Sequence, residues 1–259
     1  EYMNELIPHL TVFLLVLVRI SAFFVTVPFF SYRTIPPQVK ITLALVLAWM
    51  MYYTIDVEPF AFNDDYILLV MKEALVGLLL GLMGYIIMSA IQIAGSFIDF
   101  QMGFAIANII DPQTGAQSPL IGQFFYMLAL LLLLAIDGHH MILNGIYYSY
   151  QFFPMDQFPN FMSENFPQVI IKTFTAVFAI AFQMAAPVVA TLFLVDLALG
   201  ITAKTVPQLN IFVVGFPIKI GVSFLVLFTM MAVMIQVIQK LITIMIYGMR
   251  DLMAILGGG

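Results

Sequence analysis

A polar, turn-rich segment set between two membrane-grade apolar runs constrains this chain more than any other feature. Residues 99–123 read DFQMGFAIANIIDPQTGAQSPLIGQ. They hold Gly103, Gly115, Gly122, Pro112 and Pro119, with two carboxylates and four glutamines. The flanks, 67–98 and 124–136, are almost wholly apolar. Glycine and proline do not sustain a long helix, and unpaired backbone cannot face lipid. Irregular backbone at membrane depth survives only inside protein or along a water-filled path. The segment is therefore expected to line, plug or gate something.

Composition places the rest. The 259 residues are 63% hydrophobic and 9% charged, with mean hydropathy +1.07. Soluble domains carry about 25% charged residues. A soluble fold with this composition would expose apolar patches far beyond the usual few hundred Å². An integral membrane protein is expected. There is no cysteine, which excludes disulfide and thiolate chemistry. The net charge of −5 is dispersed, with no Lys/Arg cluster. That argues against nucleic acid and against a polybasic lipid anchor. Glu1 and Glu5 stand where a signal peptide would be positive, so no cleavable signal is expected. The chain starts at Glu1 rather than Met, which leaves room for residues upstream. Residues 1–256 are expected to form one helical domain, and Gly257–Gly259 to be a tail foreign to it.

A spanning helix needs about 20 apolar residues. Leu10–Phe30 qualifies, with fifteen Leu, Ile, Val or Phe residues and one charge, Arg19. Those fifteen contribute roughly −4.5 to −9 kcal/mol to insertion, against about +2.5 to +3.5 for a central arginine. The helix survives, and Arg19 should face protein or water. Pro36-Pro37 ends a turn over 31–38; Val39–Tyr53 and Tyr66–Ser96 are further helices. In the latter, Gly77-x-x-x-Gly81 has the small-xxx-small spacing of close helix packing. Phe124–Ile136 and the aromatic run Met141–Phe153 follow. Val169–Leu194 should break near Pro187, Asp196–Pro217 should be irregular, and Ile218–Tyr247 should be the last helix. The fold class is all-α: a polytopic membrane protein of about six apolar helical segments with Gly/Pro-broken regions. Arg33 and Lys40 place the first turn in the cytoplasm, yet Lys240 and Arg250 sit on the wrong side of a six-span path. Bent helices or hairpins that do not fully cross would relieve that conflict.

Chemistry is sparse. No Gly-x-Ser-x-Gly occurs, and nothing pairs Asp99 with Asp196 as catalytic carboxylates. Asp137, His139 and His140 could suggest a metal, but adjacent histidines on a helix point about 100° apart. No catalytic residue, cofactor or metal is expected. Arg19, Lys72, Glu73, Asp99, Asp196 and Lys240 lie in or beside apolar helices. Such charges serve as ion pairs within the chain or between subunits, or carry function. Met71, Met83, Met88 and Met102 could line a seal that opens, or simply fill irregular space.

Three stretches carry a resemblance. GSFIDFQMGFAIANIIDPQTGAQSPLIGQF (Gly95–Phe124), DGHHMILNGIYYSYQFFP (Asp137–Pro154) and VPQLNIFVVGFPIKI (Val206–Ile220) resemble the FliR family of flagellar export gate proteins and its injectisome counterparts. The resemblance runs from about Leu10 to Tyr247. It implies long, bent helical hairpins and a non-enzymatic subunit of the type III secretion export gate in the bacterial inner membrane, within the flagellar basal body. It implies FliP-like and FliQ-like subunits in one hetero-complex, association with FlhB and FlhA components, contact with lipid, and passage of unfolded export substrates. It also implies a loop that plugs the closed channel, here about Asn108–Gln123. Within that loop Asn108, Ile109, Ile110, Asp111, Pro112, Gly115, Pro119 and Gly122 are the candidate gate residues. Ile106, Ile109 and Ile110 would seal by dewetting; Asp111 would cap the turn, the prolines stiffen it, and Gly115 and Gly122 hinge it. Arg19, Asp99, Asp196, Lys204, Pro207, Gln208 and Asn210 are the candidate assembly residues. The rival function is a stand-alone secondary transporter of small solutes, built on broken helices around 99–123 and 196–217.

Overall fold

The computed structural model describes residues 2–31, 35–55, 57, 60, 64–104, 119–163, 165–208 and 210–257. Among them lie seven helices and no strand. These are α1 (Tyr2–Thr26), α2 (Pro37–Tyr52), α3 (Asp64–Met102), α4 (Leu120–Ala135), α5 (Gly138–Phe152), α6 (Asn165–Thr205) and α7 (Ile211–Leu256). By length and apolarity α1, α3, α6 and α7 can each cross a membrane, and α4 with α5 can do so as one bent pair. Proline at the first helical position starts α2, where its missing N–H costs nothing. At 16 residues α2 is short of a full span. Helices α6 and α7, of 41 and 46 residues, have contour lengths of about 62 and 69 Å at 1.5 Å per residue.

Two expectations about helix ends are corrected. Helix α6 runs through Pro187 without a break and continues to Thr205, and α7 begins before Pro217. The irregular stretch expected over 196–217 thus shrinks to the few residues between Thr205 and Ile211. The reason is the solvent: in an apolar setting each unpaired backbone group costs several kcal/mol, so the chain gives up one bond at a proline rather than a whole turn. Helix α3 likewise extends to Met102, past the expected end at Ser96.

The residues gather into two compact units, each discontinuous in sequence. The first comprises Glu1–Ile87, Leu134–Thr173 and Thr243–Gly259. Its core includes Leu15, Val16, Ile20 and Phe23 of α1, all fully buried. Here the small residues of α3 do what their spacing predicts. A methyl added at Gly77 would collide with the Arg19 carbonyl oxygen, and one at Gly81 would meet the Thr26 hydroxyl and the Phe23 carbonyl. The two helices touch backbone to backbone. After α1 the chain turns with Phe29 in the left-handed region (φ 75°), a conformation that costs a residue with a side chain about 1–2 kcal/mol. The next ring, Phe30, stacks on Phe24 at 4.6 Å.

The second unit comprises Met88–Leu133 and Phe174–Ile242. Its core holds Ile91, Ala94 and Ile98 of α3, Ile121, Phe125 and Ala129 of α4, and Ala181, Val188 and Leu192 of α6. Of the four methionines weighed for a seal, Met83, Met88 and Met102 are buried in these cores, while Met71 is exposed.

Candidate functional site

Helix α3 ends at Met102 and α4 begins at Leu120. Asn108, Ile109, Ile110, Asp111, Pro112 and Gly115 lie outside the described residues, but both roots of the segment are described. The first root is a Schellman cap. Phe104 N–H donates to the Asp99 carbonyl (2.9 Å) and Gly103 N–H to the Phe100 carbonyl (3.1 Å). Gly103 supplies the left-handed residue such a cap needs, with φ +92°. Phe104 then packs edge-on against Phe216 of α7, ring centroids 6.3 Å apart.

The second root is fastened to the first. The buried Asp99 carboxylate accepts the Ile121 N–H through both oxygens (3.2 and 3.3 Å). An acid placed on unsatisfied N–H groups in the first turn of a helix is a favourable cap; here the acid comes from another helix. Four residues earlier, Gly95 lies so close to Gly122 that a methyl on Gly95 would collide with the Gly122 backbone. A methyl on Gly122 would sit 2.7 Å from the Pro119 ring. Of the sequence candidates, Asp99, Pro119 and Gly122 therefore meet at one place.

Asp196 belongs to a further tie at the end of α3. The Lys219 ammonium pairs with one Asp196 oxygen at 2.6 Å. The Gln101 side-chain amide donates to the other at 2.9 Å. Lys219 also donates to the Gln101 carbonyl at 3.3 Å. One carboxylate thus binds α3, α6 and α7 where the polar segment begins. A cavity of 580 Å³ opens there, lined in part by Met102, Gly103, Leu199 and Phe216. Gln101, Lys219 and Gly95 were not singled out from sequence. The one available signal for Lys219 was a lone cation near the start of an apolar run.

Arg19 finds its partners within the first unit. Its guanidinium donates to both Glu73 oxygens, to the Ser149 hydroxyl (3.0 Å) and to the Phe153 carbonyl (3.0 Å). The Tyr150 ring lies 3.7 Å from its carbon. Lys72 reaches Glu73 at 2.8 Å and the carbonyls of Pro154, Met155 and Gln157. The three charged side chains are essentially inaccessible to solvent. Lys204 lies exposed in the last turn of α6, and Pro207, Gln208 and Asn210 lie exposed on the connection between α6 and α7. Asn210 also has a local task, since its side-chain oxygen accepts the Phe212 N–H (3.2 Å) and caps α7.

Residues 10–245 match the family described as "Bacterial export proteins, family 1". The chain belongs to that family. It is similar to the flagellar biosynthetic protein FliR of Bacillus subtilis (strain 168), 57% identical over 257 residues, covering 98% of this chain and 99% of that one. It is similar to the FliR of Escherichia coli (strain K12) at 30% identity, over 80% of this chain and 79% of that one. It is also similar to Yop proteins translocation protein T of Yersinia pestis, 28% identical over 85% of each. The fastened ends of the polar segment described above thus belong to a FliR-family protein, as the three sequence stretches suggested.

Proposed function

We propose that this chain is a non-enzymatic subunit of the flagellar type III export gate in the bacterial inner membrane. Residues 108–123 act as the closed-state plug of a channel for unfolded chains, with residues 120–123, the first turn of α4, as its fixed root. FliP-like and FliQ-like subunits, with FlhB and FlhA components, complete the assembly. Membership of the bacterial export family and similarity to named flagellar and translocation proteins support the class. The observation that carries the plug is the joined root. Asp99 holds the Ile121 N–H, and Gly95 meets Gly122, so the two ends of the intervening segment are held together at a neck. A neck of that kind would let a plug act without moving the helices that bear it. The exposed apolar side chains of α7, such as Phe212 and Phe228 at 88% and 84% exposure, are surface for lipid or neighbouring subunits.

The test removes Ile110–Gln117 in cells carrying the rest of the apparatus. The neck stays, and halving a loop changes its closure free energy by only about 0.6 kcal/mol. Assembly should persist while the membrane becomes permeable to small ions. Ion permeability unchanged from wild type, with assembly intact, would reject the plug.

A further inference from the structure

The start of α5 gathers donor atoms that the export function does not use. One oxygen of Asp137 and one ring nitrogen each of His139 and His140 all lie within 4.8 Å of one another. The two imidazole rings are 4.1 Å apart, not splayed around the helix as adjacent positions lead one to expect. Both histidines sit in the first turn of α5. No preceding turn restricts their rotamers there, so the rings are able to swing toward each other.

Two further observations mark the cluster as more than a hydrated helix end. Asp137 occupies the N-cap, where a carboxylate normally accepts an N–H of the first turn, yet it makes no such bond. Its backbone is left-handed (φ 55°), and the His140 and Met141 N–H groups go instead to its carbonyl oxygen (3.0 and 3.3 Å). The carboxylate is thereby left out of the capping scheme. His139 Nδ1 is buried and has no hydrogen-bond partner among the described residues. A buried, unpaired ring nitrogen carries a desolvation penalty that a ligand would remove.

We propose that Asp137, His139 and His140 form a binding site for a borderline divalent cation of the zinc class. Two imidazoles and one carboxylate suit zinc rather than calcium or magnesium, which take mostly oxygen donors. Ligand bonds of about 2.0–2.2 Å in a tetrahedron place donor atoms roughly 3.3 Å apart. The present spread closes to that by side-chain rotation, because Asp137 and His140 are exposed. Three protein ligands leave the fourth position to water. The ion would cross-link the left-handed residue at the break after α4 to the first turn of α5, fixing the direction in which that helix starts.

The experiment uses the full chain in mild detergent with a purification tag free of histidine. The protein is stripped with chelator, dialysed against micromolar zinc and assayed for metal content; cobalt(II) is then substituted and its visible absorption read. About one zinc per chain and tetrahedral cobalt bands are expected. His139→Gln, His140→Gln and Asp137→Asn should each weaken binding at least about tenfold, a loss that even outer-shell substitutions produce. Asn tolerates the left-handed backbone, so Asp137→Asn tests the carboxylate without disturbing the turn. His9→Gln, the third histidine of the chain, should leave zinc binding unchanged. A wild-type chain without stoichiometric zinc overturns the site, as does full retention by the His139→Gln, His140→Gln double variant.

Discussion

The buried cluster in the first unit makes an unequal pair of predictions. It holds two cations, Arg19 and Lys72, around one anion, Glu73, at 0–2% side-chain exposure. Replacing Arg19 with Met leaves Lys72 and Glu73 as a neutral pair. Ser149 keeps its bond to the Ile146 carbonyl (2.6 Å). The losses are the donors to the Phe153 carbonyl and to Glu73 Oε2, and each buried acceptor left unsatisfied costs about 1–3 kcal/mol. Replacing Glu73 with Gln, nearly isosteric, instead leaves two buried cations facing each other. Removing one partner of a buried pair costs about 3–5 kcal/mol, and here two cations lose the same anion. Glu73→Gln should therefore be the more damaging change by about 2 kcal/mol, although Arg19 is the larger side chain and makes more bonds. At roughly 2–4 °C per kcal/mol for a chain of this size, the difference in melting temperature is about 4–8 °C. Thermal unfolding of the two variants in the same detergent, followed by size-exclusion after heating, reads it directly. Equal melting temperatures, or a lower one for Arg19→Met, would refute the charge accounting and make packing of the arginine stem the dominant effect.

Two further outcomes follow. Asp99→Ala removes the anchor of the α4 N-terminus and should cost about 0.5–2 kcal/mol in stability; if the neck holds the plug, it should also raise ion permeability in cells, and a stable but fully sealed variant would separate the neck from gating. Pro207→Ala with Gln208→Ala, on the exposed connection between α6 and α7, should reduce co-purification of an FlhB-type partner several-fold; Asn210→Ser, which keeps the cap of α7, serves as the folding control, and unchanged co-purification would assign that connection another use.

Much of the helical plan is legible because its signals are local. The Gly77 to Gly81 spacing announces a close crossing, and the structure supplies its partner in α1. Asp99, Pro119 and Gly122 are conspicuous as polar or special residues beside apolar runs, and they converge on the neck. What the sequence hides is pairing at a distance. Glu73 lies 54 residues from Arg19 and Ser149 lies 130 away, and no periodicity connects them. The helix ends were misplaced at Pro187 and at Asp196–Thr205 because breaker rules come from water, where a freed backbone group finds a new partner. The convergence of His139 and His140 escaped for a related reason. The 100° rule describes backbone positions, while the rings follow rotamers, and the left-handed Asp137 that opens the turn carries no unambiguous sequence mark.

Helices α6 and α7 set a condition on supply. The hydrocarbon layer is about 30 Å thick, so contours of about 62 and 69 Å overshoot it by 30 Å or more. In the proposed assembly, neighbouring subunits cover that surplus apolar surface. A copy made without neighbours offers the quality-control machinery the same cue as a misfolded chain, and such copies are continuously removed. In that assembly the steady amount of this protein would follow its scarcest neighbour rather than its own rate of synthesis, and helix length would become a form of dosage control.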